Sequence, residues 1–112
     1  MEQRVRFGEL FDLYRSLLTE KQSAVCDLML GGDLSVAEIG DELGMTRQGA
    51  YDLVRRSLDH LEGIERGLRL CEIRGRYESL AAIIRESKRD LPEEFMSRVA
   101  GLLALEEGST DV

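Results

Sequence analysis

Seven side chains with the chemistry of nucleic-acid contact lie close together in this sequence: Thr46, Arg47, Gln48, Tyr51, Asp52, Arg55 and Arg56. Their three- and four-residue spacing puts them on the outer face of one helix. Arg and Gln can make bidentate contacts to base edges, while Thr and a helix N-terminus reach phosphate. Arg47 and Gln48, at the start of that helix, are best placed for bases. Arg55 and Arg56, two turns later, are placed for backbone. The window Met45–Ser57 holds three Arg and one Asp. That small positive balance predicts weak, salt-sensitive binding rather than a strong basic arm.

Catalytic chemistry finds little material. There is no Gly-rich phosphate loop, no nucleophile elbow and no cluster with metal-ligand spacing. Cys26 and Cys71 are far apart and belong to no Cys-x-x-Cys pair, so they read as reduced thiols on apolar helix faces. His60, the single His, reads as a boundary residue bonded to a neighbour or to water. The acidic pairs Glu93-Glu94 and Glu106-Glu107 sit at helix ends as dipole partners and solvated charge. The expectation is a non-enzyme with no cofactor and no metal.

The elements that must position the seven residues are helical throughout. Apolar residues recur at helical spacing over Phe7–Leu18, and Thr19 then opens a capping box with Gln22. The helix that follows stops at Gly31-Gly32. Ser35 and Glu38 form a second box, and the short helix behind it ends at Gly44, a residue free to take positive φ. Thr46 starts a third N-terminus two positions later. Gly40, four before Gly44, is the small residue needed where two helices cross. A capped helix, a glycine turn and a second capped helix are the grammar of a helix-turn-helix. The pattern continues to about Cys71, with a possible break near Gly63, where glycine weakens a helix by roughly 1 kcal/mol. A further stripe through Ile73, Tyr77, Leu80, Ile83 and Ile84 ends before Pro92. Pro92 reads as the first residue of a last helix carrying Phe95, Met96, Val99, Leu102 and Leu103. Gly108 onward reads as a frayed tail. The expected fold is all-α: about six helices, no sheet.

Composition agrees. The 112 residues are 43% hydrophobic and 33% charged, with 5% aromatic and no Trp, which implies a folded chain with an aliphatic core. Fifteen basic residues face 22 acidic ones, for a net charge of −7. This argues against a chain wrapped along a phosphate backbone but leaves room for a local patch. No apolar run is long enough to cross a membrane. The start, Met1-Glu-Gln-Arg-Val-Arg, has no apolar signal region, so a cytoplasmic location is expected.

Three strings, Phe11-Asp-Leu-Tyr-Arg-Ser-Leu-Leu-Thr-Glu-Lys-Gln, Leu34-Ser-Val-Ala-Glu-Ile-Gly and Thr46-Arg-Gln-Gly-Ala-Tyr-Asp-Leu-Val-Arg-Arg, resemble the YlxM-like family of helix-turn-helix proteins. The resemblance covers about residues 7 to 70, and Gly40 and Gly49 stand where that family tends to have Ala. It implies an all-α fold, a motif similar to the DNA-binding fourth region of bacterial sigma factors, and a regulatory or accessory role near the signal recognition particle pathway. Two functions follow as expectations. One is a DNA-binding regulator of transcription using residues 35 to 56. The other is a protein- or RNA-binding accessory of the signal recognition particle that does not bind DNA. Residues 1–70 are expected to form the helix-turn-helix domain and 71–112 a C-terminal helical extension. The three-four spacing of Leu61, Ile64, Leu68 and Cys71 suggests a coiled-coil-like seam and a homodimer. The alternative is that the last helices fold back within one chain.

Overall fold

The computed structural model describes the backbone of residues 2–111 and the side chains of 3–103. Six α-helices run in the order α1 Glu2–Tyr14, α2 Glu20–Cys26, α3 Val36–Leu43, α4 Arg47–Leu68, α5 Leu70–Glu86 and α6 Glu93–Asp111. A 3-10 turn, Arg15–Leu17, follows α1, and a π turn, Asp27–Gly31, follows α2. No strand occurs among the described residues, so the all-α expectation holds. The residues group into two compact units, Met1–Cys71 and Glu72–Val112.

Three local signals start three helices as expected. The Thr19 hydroxyl accepts from the Gln22 N–H at 3.1 Å, and the Gln22 amide oxygen accepts from the Thr19 N–H at 3.1 Å. Ser35 and Glu38 repeat this exchange at 3.2 and 2.9 Å. The Thr46 hydroxyl accepts from the Gly49 N–H at 2.9 Å, but glycine has no side chain to return the bond.

The first unit has a continuous core. Phe7, Leu10, Phe11 and Tyr14 of α1 pack with Val25 and Cys26 of α2, Ile39 of α3, and Ala50, Val54 and Leu61 of α4. Burial pushes the Cys26 thiol up to about 11, so it is an inert core atom. Both cysteines are free thiols, Cys71 being half-buried.

Several boundaries differ from the sequence reading. α1 begins at Glu2, five residues before Phe7, because its first turns are tied down by tertiary contacts. Arg4 donates to the Met29 carbonyl at 2.8 Å and to Asp33 at 3.1 Å, and Arg6 forks onto Glu62 at 2.9 and 3.3 Å. It ends at Tyr14, where the chain tightens into the 3-10 turn. α4 runs unbroken through Gly63 and Gly67 because Leu61 and Glu65, on either side of Gly63, are both buried. It stops at Leu68, where Arg69 takes a left-handed φ of 57°. Leu61 and Ile64 pack against the core of this unit and so are not free for the coiled-coil-like seam expected of them. Pro92 precedes α6 rather than starting it, its carbonyl accepting from the Met96 N–H at 3.0 Å. The backbone expected to fray from Gly108 continues as α6 to Asp111.

A buried polar pair closes the first unit. The Tyr14 hydroxyl donates to the Glu65 carboxylate and accepts from the Leu70 N–H at 3.0 Å. Glu65 also accepts from the Cys71 N–H at 3.0 Å. The first amides of α5 are thus held by side chains of α1 and α4. Burial, reinforced by the Glu65 bond, raises the Tyr14 phenol above its ordinary value.

In the second unit, α6 and the part of α5 from Glu72 onward form a helical pair. Tyr77 donates to the Leu102 carbonyl at 3.0 Å. Ala81 is the one fully buried side chain there among the described residues.

Candidate nucleic-acid interface

The turn between α3 and α4 is built around two glycines with different tasks. Gly44 adopts φ 68°, a left-handed conformation that ends α3 and reverses the chain. Gly40 lets the backbone close on itself: the Met45 N–H donates to its carbonyl at 2.9 Å. A Cβ at Gly40 would lie 2.8 Å from the Met45 carbonyl oxygen and 3.3 Å from that of Thr46. The small residue at the crossing is therefore a steric requirement.

From this turn α4 rises with one face in the core and the other in solvent. Ala50, Val54, Ser57, Leu61 and Glu65 mark the inner face, where the Ser57 hydroxyl donates to the Leu53 carbonyl at 2.7 Å. Thr46, Arg47, Gln48, Tyr51, Arg55 and Arg56 are exposed, and Asp52 is half-buried. Six of the seven expected residues thus lie on α4 and off its core face, and Thr46 is its N-cap. Arg55 and Arg56 stand about 12 Å along the axis from Arg47 and Gln48, at 1.5 Å per residue.

The electrostatics of this face are selective. Arg4, Arg6 and Arg15 are spent on Asp33, Glu62 and Asp27. Glu62 holds the Arg6 guanidinium proton more tightly than usual. Arg47, Arg55 and Arg56 form no ion pair among the described residues. Of the α3 side chains, Glu38, Asp41 and Glu42 line one shallow groove with Leu34, whereas Val36 lines another with Arg47, Gln48 and Tyr51. Within the face, Gln48 Nε2 donates to Asp52 Oδ1 at 2.9 Å. The amide of Gln48 is therefore pre-oriented, and Asp52 adds a negative charge that phosphate would meet.

Lys21, Val36 and the buried Tyr14–Glu65 pair are not among the residues that spacing marks for function. Folding brings Lys21 of α2 to a groove beside the turn, with Leu43, Gly44 and Met45. No spacing signal links positions 21 and 44. Val36 was hidden as an ordinary apolar residue of a capped helix. Glu65 carries a signal that was legible, an acid four residues after the core position Leu61. His60 is a boundary residue, its Nδ1 3.0 Å from the Gln22 amide oxygen. That oxygen already accepts from the Thr19 N–H, so the His60 Nδ1 carries the proton. Among the described residues no group of three or more His, Cys, Asp and Glu side chains could hold a metal. No described helix is long and apolar enough to cross a membrane.

Residues 1–99 match the UPF0122 family, described as helix-turn-helix protein, YlxM / p13 like. The chain belongs to that family. A UPF0122 protein of Halalkalibacterium halodurans is 33% identical over 111 residues, which cover 95% of this chain and 99% of the relative. One from Shouchella clausii is 41% identical over 94 residues, 84% of each chain. One from Clostridium kluyveri is 48% identical over 56 residues, half of each. The helix-turn-helix description of UPF0122 is in keeping with the geometry of α3 and α4.

Proposed function

We propose that this UPF0122 member is a cytoplasmic, non-enzymatic regulator that binds duplex DNA, with α4 as its recognition helix. The observation that carries the reading is the face of α4. Three arginines without ion-pair partners among the described residues stand there on the exposed side of a capped helix, and the acids of α3 line a separate groove. Thr46 and the first N–H groups of α4 meet a phosphate. Arg47 and Gln48 read base edges, Tyr51 packs beside them, and Arg55 and Arg56 hold the backbone. Residues 1–70 carry this activity and 71–112 are an extension.

If each chain neutralises about three phosphates, the slope of log K against log salt is near −3 per chain, from about −0.9 per contact. Replacing Arg55 and Arg56 by Ala weakens binding to all sequences alike and flattens that slope. Gln48→Ala changes sequence preference instead. Asp52→Ala strengthens binding to every duplex and loosens discrimination, because it removes a negative charge and frees the Gln48 amide. Fluorescence titration of random and genomic duplexes at two salt concentrations reads all three. Absence of binding at about 50 mM salt, where electrostatic contacts are least screened, discards the DNA reading.

The net charge of −7 favours a second reading. In it the hairpin is a scaffold, and the protein is an accessory of the signal recognition particle that contacts a basic protein or RNA. Binding to signal recognition particle components that survives Arg55→Ala/Arg56→Ala supports it.

A further inference from the structure

The groove between α3 and the start of α4 holds a finer pattern than a charged face needs. Val36, Arg47, Gln48 and Tyr51 line it, and its volume is about 440 Å³. Val36 is half-buried and Tyr51 is 48% exposed, so both supply apolar lining that a ligand can reach. Gln48 is the one amide side chain of the groove, and its Nε2 donates to Asp52 Oδ1 at 2.9 Å. A carboxylate only accepts, so the amide must turn its nitrogen to Asp52. That bond uses one of the two amide hydrogens. One N–H and the oxygen Oε1 are left side by side for a ligand, one donor next to one acceptor.

Given duplex binding by α4, on which this inference rests, we propose that the groove reads an A·T base pair. Gln48 takes the N7 and N6 edge of adenine, and the C5-methyl of the paired thymine seats against Val36 and Tyr51. In the major groove adenine alone offers an acceptor, N7, beside a donor, the N6 amine. Guanine offers two acceptors, N7 and O6, which both amide hydrogens would have to meet together, and Asp52 holds one of them. Cytosine would leave the Gln48 N–H without an acceptor, and thymine would leave Oε1 without a donor. Arg47 only donates, so it cannot accept from the adenine amine, and that task falls to Gln48. The thymine methyl is the one apolar group on the major-groove edge of the bases, which is what the Val36 and Tyr51 lining suits. Asp52 is a positioning residue that acts on the base through the Gln48 amide. A bond between side chains four apart on a helix adds little in water. It strengthens once a base closes the groove and water leaves.

The test offers the full chain a library of random duplexes at about 50 mM salt, where electrostatic contacts are little screened. The enriched duplex is then titrated by fluorescence with base analogues. One position should hold adenine, favoured over guanine about tenfold, within the range of one bidentate contact. There 7-deazaadenine, with C–H in place of N7, weakens binding severalfold in the wild type and changes nothing in Gln48→Ala. Uracil for the thymine opposite removes only the methyl and costs about fourfold, the effect of one buried methyl. In Tyr51→Ala that loss shrinks. Asp52→Asn can offer hydrogens of its own, so Gln48 is no longer held. It brings the adenine-to-guanine ratio near one at an unchanged melting temperature. If no duplex binds at this salt, the DNA reading falls and the proposal with it. If duplexes bind but no adenine is enriched, or if 7-deazaadenine and Gln48→Ala weaken binding additively, DNA binding stands and the adenine assignment is overturned.

Discussion

The two units of this molecule are both helical and similarly acidic, yet they solve folding differently. Residues of Met1–Cys71 bury ten apolar side chains around α1 and α4, and polar groups in that core have partners. The helices of Glu72–Val112 bury Ala81 alone among the described residues and leave large aliphatic side chains in water. Helical pattern and length therefore say little about independence. What separates the units is how many elements close on one another: four helices in the first, two in the second.

Cutting the chain breaks the comparison most severely. A fragment of residues 1–71 unfolds cooperatively in urea. A fragment of 72–112 loses most of its helicity. Circular dichroism on both checks this, and a strongly helical 72–112 contradicts it. Within the first unit, Leu61→Ala costs about 2–5 kcal/mol, because it empties a fully buried site. Urea midpoints measure it.

The two glycines around the turn sharpen the contrast further. Gly40→Ala destabilises by about 1–3 kcal/mol, since its Cβ meets backbone carbonyls that cannot rotate away. Gly49→Ala stabilises by up to about 1 kcal/mol. A Cβ there would lie 3.1 Å from the Thr46 hydroxyl oxygen, but Gln22 and Glu38 carry side chains at the same position after intact caps. Calorimetric melting temperatures that move in opposite directions confirm the pair. The smallest effect is electrostatic. Bonds from the Ser35 N–H and hydroxyl hold the Glu38 carboxyl below its ordinary 4.5. Its contribution is complete above that value and is lost as pH falls through the lower folded value. Glu38→Gln imitates the uncharged box at Thr19–Gln22. Its stability difference from wild type is therefore constant near neutrality and changes only in acid, as urea midpoints between pH 3 and 7 reveal.

What was legible in the sequence was local. Thr19, Ser35, Thr46, Gly40 and Gly44 each act within a few residues of themselves, and the seven residues of the α4 face follow from its period. What was not legible depends on partners. The early start of α1 needs Asp33 and Glu62, and the capture of Leu61 and Ile64 needs α1. An apolar stripe records that something covers it, not what. The π turn at Asp27–Gly31 has no local signature, and the four-residue spacing of Gln48 and Asp52 permits their bond without requiring it.

The Tyr14–Glu65 pair also bears on time. The first amides of a helix are ordinarily open to solvent and trade their hydrogens quickly. Those of Leu70 and Cys71 are bonded instead to buried side chains of α1 and α4. Their deuterium uptake follows the opening of the first unit's core, not the fraying of α5. Two slow amides at the head of a fast-exchanging helix would mark the point where the stable part of the chain ends.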